Sequence, residues 1–348
     1  MDSLLKKILE APGPSGYESP IAGIMQEELK KSCQEVRVDN SGNVIARKGQ
    51  GKVKVMLAAH MDEIGLMVKY ITKEGFLHFI KLGGIDDRIL PAQRVIVKSK
   101  KGDCLGIIGT KPPHLLREDE RKKPLKYEDM FIDIGCKDKG EAEKRVAVGD
   151  VVIFEPNAGV LNGDLYYGKA VDNRIGCFAL LKIMERINAG AEVYAVATTQ
   201  EEVGLKGART SSFKIDPDYA IAIDTNVAGD TPQVTERESA LKLGEGVSIT
   251  IIEASGRGLI VNEKMKDLLV GAAKENKIKY QLDVIEGGMT DGAIICMSRE
   301  GVPTGVLAIP TRYIHSATGV FNIKDLEAAV ELAVRSVESL AKITGCRV

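Results

Sequence analysis

Apolar residues recur along this chain in two rhythms, and the change between them marks its organisation. In "SPIAGIMQEELKKS", "IGCFALLKIMERI", "GLIVNEKMKDLLVGAAKEN" and "NIKDLEAAVELAVRSVESLAKI", apolar positions return every three or four residues. That spacing puts them on one helical face. Between these segments lie "KVKVMLAAH", "EVYAVATT", "DYAIAID", "KYQLDVIE" and "PTGVLAI", short and nearly continuous apolar runs. Such runs suit strands covered on both faces. The alternation predicts an α/β fold with a mostly parallel central sheet flanked by helices. It occupies residues 1–65 and 162–348.

The stretch 66–161 has a different texture. "LMVKYIT", "FLHFI", "RVIVKS", "GIIG" and "DVVIFEP" are short strand-like runs broken by glycines and charged turns. The only helical segment is a short "KGEAEKRV". This predicts a small β-barrel or sandwich, residues 66–161, inserted into the α/β domain. Within it, the polar, proline-punctuated "KPPHLLREDERKKPLKY" reads as a loop.

Composition narrows the function classes. With 48 basic and 49 acidic residues the net charge is −1, so no global field draws the chain to nucleic acid or an anionic membrane. The apolar runs fall far below the roughly 20 residues of a membrane span. The start of the chain lacks the basic and apolar pattern of a signal peptide. Six cysteines, Cys33, Cys104, Cys136, Cys177, Cys296 and Cys346, contain no C-x-x-C pair. They are expected to be reduced, in a cytoplasmic protein. There is no phosphate-binding G-x-x-x-x-G-K-[ST], "GPSG" is not G-x-S-x-G, and no segment completes a dinucleotide loop.

The chemistry lies where apolar runs stop. "VMLAAHMDEIG" ends in His60 and Asp62, "GKAVDNRIG" holds Asp172 and Asn173, and "ATTQEE" ends in Glu201 and Glu202. "YAIAID" ends in Asp224, and "PTRYIHS" holds His315. In an open parallel sheet these ends converge on one rim, where ligands bind. Taken singly, each has a plainer reading; Asp172, for example, suits a helix N-cap. Together they form a nitrogen and oxygen donor set for zinc, cobalt or manganese. Five donors serve two divalent ions if one carboxylate bridges, and three carboxylates with a hydroxide balance the charge. One carboxylate is left over. Adjacent strand residues point to opposite faces, so Glu202 is expected to bind metal and Glu201 to act as general base. As a glycosidase pair the two fit poorly, because those carboxylates must flank one bond from opposing sides. The Asp172–Asn173 peptide bond is expected to be cis.

These motifs resemble the tetrahedral (TET) aminopeptidases, dinuclear-metal exopeptidases of the cytosol. The resemblance runs nearly end to end, through "APGPSGYE", "AAHMDEIG", "GKAVDNRIG", "TTQEEVGLKGA", "AIDT" and "YIHS". "GGMTDG", holding Thr290 and Asp291, departs from the family's uninterrupted "GGTD". The resemblance implies a zinc-exopeptidase-like α/β domain. One metal ion would take His60, Asp172 and Asp224, and the other Asp172, Glu202 and His315. Glu201 would be the base for a metal-activated water attacking the peptide carbonyl, and Asp62 would orient His60. It further implies short peptide substrates, dimers built through the β domain, and a hollow tetrahedral dodecamer. Two other readings stand beside it. One is a different dinuclear-metal amidohydrolase, such as an N-acyl amino acid deacylase or a carboxypeptidase. The other is a shell-forming scaffold without activity.

Overall fold

The computed structural model describes residues 1–188 and 190–343. Four parallel strands form the heart of an eleven-stranded sheet, side by side in the order Glu192–Thr198, Lys54–His60, Tyr219–Val227 and Thr304–Arg312. The expected parallel sheet is this central part. The additions at its sides are largely antiparallel. Val44–Lys48 and then Glu35–Val38 extend one side. Gly319–Asn322 and the hairpin of Gly159–Asn162 and Leu165–Gly168 extend the other. Val247–Ile252 runs antiparallel to Thr304–Arg312 and carries Tyr280–Val284 alongside it.

Alternation along the central strands divides the core. Val55, Leu57 and Ala59 face the larger cluster, built with helices Ser3–Glu10, Ser19–Leu29, Val171–Arg186, Glu263–Glu275 and Ile323–Leu340. Met56 and Ala58 face the other side, against helix Lys206–Ile215 and the short turn Gly292–Ile295. This two-residue period explains why the sequence runs are apolar without interruption: both faces are covered.

The inserted stretch is a closed barrel. Its strands follow the order Gly65–Ile71, Leu77–Leu82, Met130–Asp133, Gly102–Thr110, Arg94–Ser99 and Val151–Phe154, and the last pairs back to the first. Closure leaves no free edge. Val68, Leu77, Phe79, Val95, Val97, Ile132 and Val152 fill its interior. Met130–Asp133 was not foreseen; it is only four residues long. The barrel strands end at Phe154, and Gly159–Asn162 already belongs to the large sheet, a few residues before the boundary expected at 161. Cys33, Cys104, Cys136, Cys177 and Cys296 are free thiols. Cys346 lies outside the described residues. Among the described residues no helix is long and apolar enough to cross a membrane.

Candidate metal centre

The register Thr198↔His60 aligns the ends of two parallel strands, and Tyr219–Val227 runs beside them. His60, the Thr199–Glu202 turn and Asp224 therefore meet at the carboxyl edge of the sheet. Asp172 arrives from the start of helix Val171–Arg186, where Asp172 and Asn173 have non-helical backbone angles and share a cis peptide bond. Asn173 is fully buried. Its amide donates to the Ile223 carbonyl at 2.8 Å and its side-chain oxygen accepts from the Gly176 amide at 3.1 Å. This ties the Asp172 turn to the residue before Asp224. Gly176 has to be glycine, since a Cβ there would lie 2.2 Å from the Asn173 oxygen. Ala170, Gln200, Leu205 and His315 all have positive φ without being glycine. Such backbone strain collects where the surrounding structure holds a functional geometry.

The seven residues given roles from the sequence lie close together. The two Asp172 carboxylate oxygens face different histidines: Oδ1 lies 3.1 Å from His60 Nε2 and Oδ2 lies 3.4 Å from His315 Nε2. His60 Nε2 is 3.7 Å from Asp224 and 3.9 Å from Glu201, and His315 Nε2 is 3.3 Å from Glu202. His60, Glu201 and Asp224 form one cluster tight enough to hold an ion, and His60, Asp172 and Glu202 form another. Asp62 lies behind this layer. It is 3.4 Å from His60 Nδ1, and its two oxygens accept the backbone amides of Glu201 and Glu202 at 3.0 and 3.2 Å.

The electrostatics call for cations. Burial pushes Glu201 and Asp224 well above the usual carboxylate range, opposed by the charge of His60. Burial and the Asp172 charge push Glu202 up to about 7. Both histidines are raised despite burial. The Glu201 and Asp172 carboxylates raise His60, and Asp172 and Glu202 raise His315 to about 9. Glu202 Oε1 is buried and accepts no hydrogen bond. An orphaned carboxylate oxygen amid crowded carboxylates and two imidazoles fits a divalent-ion site.

Thr290 and Asp291, whose roles the sequence left open, lie against the site. Asp291 is buried beneath it and accepts the Thr198 hydroxyl, and Thr290 donates to Glu253 at 2.7 Å. Burial lifts Asp291 to about 6. A cavity of about 1120 Å³ opens above the centre, walled in part by Arg237, Glu253, Asp283, Met289 and Thr290. Gly84, from the loop after a barrel strand, lines its side. A Cβ on Gly84 would sit 3.0 Å from His315 Nδ1.

Comparison with known proteins finds relatives along nearly the whole chain. The sequence profile described as M42 glutamyl aminopeptidase matches residues 42–332. A crystal structure of a TET aminopeptidase from Thaumarchaeota archaeon SCGC AB-539-E09 superposes with a TM-score of 0.93 at 40% identity, over 97% of this chain and 98% of that one. The TET1 peptidase of Pyrococcus horikoshii, described as able to assemble into a tetrahedron or a large octahedral shell, matches with a TM-score of 0.86. It is 35% identical over 95% of this chain and 97% of that one. The lysyl aminopeptidase of Pyrococcus furiosus is 35% identical over 97% of this chain and 96% of its own length.

Proposed function

The chain belongs to the M42 glutamyl aminopeptidase family, and from that premise we propose that it removes N-terminal residues from short peptides with the help of two divalent metal ions. The observation that carries this reading is Asp172, which aims one oxygen at His60 and the other at His315, the geometry of a bridging ligand. His60, Asp172 and Asp224 would hold one ion, and Asp172, Glu202 and His315 the other, with zinc or cobalt suiting the donors. When bound, the ions supply Lewis acidity to the peptide carbonyl and lower the pKa of water at the site.

The protein groups do the rest. Glu201 is nine-tenths buried at the edge of the centre and opens into the cavity. It takes a proton from the attacking water and delivers it to the departing amine nitrogen, as general base and then general acid. A carboxyl whose affinity for protons is raised by burial suits both halves of that transfer. Asp62 fixes the imidazole of His60 and the amides of both glutamates, so one carboxylate sets the relation between ligand and base. The cavity is large enough for a short peptide. Self-association into dimers and a tetrahedral dodecamer, as in TET relatives, would restrict entry to such substrates.

Release of free amino acids from a peptide panel, with and without chelator, tests the reading. Release that is abolished by chelator and restored by zinc or cobalt is expected. Chelator-insensitive release would overturn it, and so would cleavage only at the carboxyl end.

A further inference from the structure

The turn that carries Glu201 and Glu202 has an unusual feature. Four consecutive backbone amides, Thr199 to Glu202, are each bound by a side chain from the N-terminal part of the chain. Thr199 N donates to Asn43 Oδ1 at 3.0 Å, and Gln200 N donates to Glu18 Oε1 at 3.1 Å. The Glu201 and Glu202 amides donate to the two oxygens of Asp62. Buried amides must find acceptors. Here the turn leaves the strand with Gln200 at φ 53, and these side chains take the place of the neighbouring strand.

Glu18 is the member without another evident task. It occupies the N-cap position of helix Ser19–Leu29, yet its side chain does not cap that helix. It turns back, and its Oε1 accepts both Gly16 N at 2.7 Å and Gln200 N. Only 6% of the residue is exposed. Burying a carboxylate there is costly unless its acceptor geometry is needed.

Building on the aminopeptidase reading, we infer that Glu18 is a positioning residue for the catalytic turn. By pinning Gln200, the residue before the base, it fixes the direction in which the Glu201 carboxylate leaves the backbone. Asp62 alone fixes the amides of the glutamates. Glu18 supplies the second anchor that stops the turn from pivoting about Asp62.

The roles of charge and acceptor separate by substitution. Both amides use one oxygen, so the amide oxygen of Glu18→Gln can accept them as well, whereas Glu18→Ala leaves both donors unmatched. Metal-loaded full-length protein is assayed for kcat and KM, and hydrogen exchange is followed at residues 199–202 in the same samples. Glu18→Ala is expected to lower kcat by about 10- to 100-fold, since small misplacements of catalytic groups have that effect. KM should change less than threefold, metal content should hold, and exchange at 199–202 should quicken. Glu18→Gln should restore kcat to within about threefold of wild type. Glu18→Ala with an unchanged kcat, or a loss confined to KM, overturns the inference. So does unchanged exchange at the turn. If wild type itself releases no amino acid, the function reading fails instead, and the exchange measurement still decides whether Glu18 holds the turn.

Discussion

The two parts of this molecule solve the problem of burial in opposite ways. The α/β part buries charge. Arg174, Lys169, Glu63 and Asp62 are at most 1% exposed. Lys169 Nζ contacts both Glu63 oxygens at 2.8 and 2.7 Å, and Arg174 donates to the carbonyls of Ile8, Ala11 and Met61. The barrel buries none: among the described residues, no buried polar or charged side chain falls between 65 and 154. Buried charge is tolerated only where partners are fixed. Its presence in one part and absence from the other separates a region that holds a chemical geometry from one that only has to be a solid body. The barrel reaches the chemistry through its Gly83–Gly84 loop, and Ile64, which packs in the barrel's core, lies beside Asp172, Glu202 and His315.

The largest expected effect breaks the pairing of the two glutamates. Glu201→Gln should keep both ions and lose about 10²- to 10⁴-fold in kcat, the contribution of a general base. Glu202→Gln should instead weaken metal affinity, because it removes the charge and one oxygen of a proposed ligand whose buried Oε1 has no hydrogen-bond partner. Calorimetric metal titration beside steady-state kinetics checks both. Near-full turnover of Glu201→Gln at saturating metal would undo the division of labour.

Much of this contrast was legible in the sequence. The parallel strands are continuous apolar runs, and polar residues where such runs end point to a ligand edge. The inserted barrel announced itself through short runs, glycines and missing helices. What was not legible depends on long-range pairing. Glu18, Asn43, Lys169 and Glu63 carry no sequence signal of their roles, since nothing local shows that they are buried against segments as much as 182 positions away. The strands Gly159–Asn162, Leu165–Gly168 and Gly319–Asn322 are four residues each, too short to set a period.

A second test concerns the energetics of buried charge. Burial lowers Lys169 from 10.5 to about 8, against the pull of Glu63. Between those values the unfolded chain holds the proton more tightly than the folded one. Stability from this group therefore rises as pH goes from about 8 towards 10.5, by up to about 3 kcal/mol at roughly 1.36 kcal/mol per pKa unit. Lys169→Met should remove that slope. Denaturant unfolding of chelated wild type and variant at pH 7, 8, 9 and 10 isolates it, since other titrations cancel in the difference. A difference independent of pH would mean that Lys169 keeps its charge throughout.

Smaller still is the effect of a point where the parts meet. Gly84→Val would press a side chain on His315, whose ring nitrogen lies 3.0 Å from the position of a Cβ. Displacing this proposed ligand should weaken one of the two proposed ions by about tenfold, or about 1.4 kcal/mol, and leave the other. Metal titration resolving two affinities would show this. Equal weakening of both would mean that the loop supports Asp172 as well.

The least effect on chemistry is expected where the barrel faces outward. Leu105 and Ile107 lie two apart on strand Gly102–Thr110, so they share a face, and each is 51% exposed. The interior positions between and beside them, Cys104, Gly106 and Ile108, pack inward. An exposed apolar pair on a closed barrel contributes nothing to the barrel's own core, but it does suit a subunit contact. Changing both to glutamate should therefore leave the fold and metal content intact while reducing the particle mass seen by light scattering. Turnover of a dipeptide by each subunit should stay within about twofold, because none of the expected ligands comes from the barrel. If metal affinity or dipeptide turnover fell with the mass, the two parts would be energetically coupled through the Gly83–Gly84 loop, and assembly would act on the centre as well as on access to it. If the mass did not change, subunit association would have to use another face of the molecule, and the apolar pair would be an incidental feature of the barrel surface.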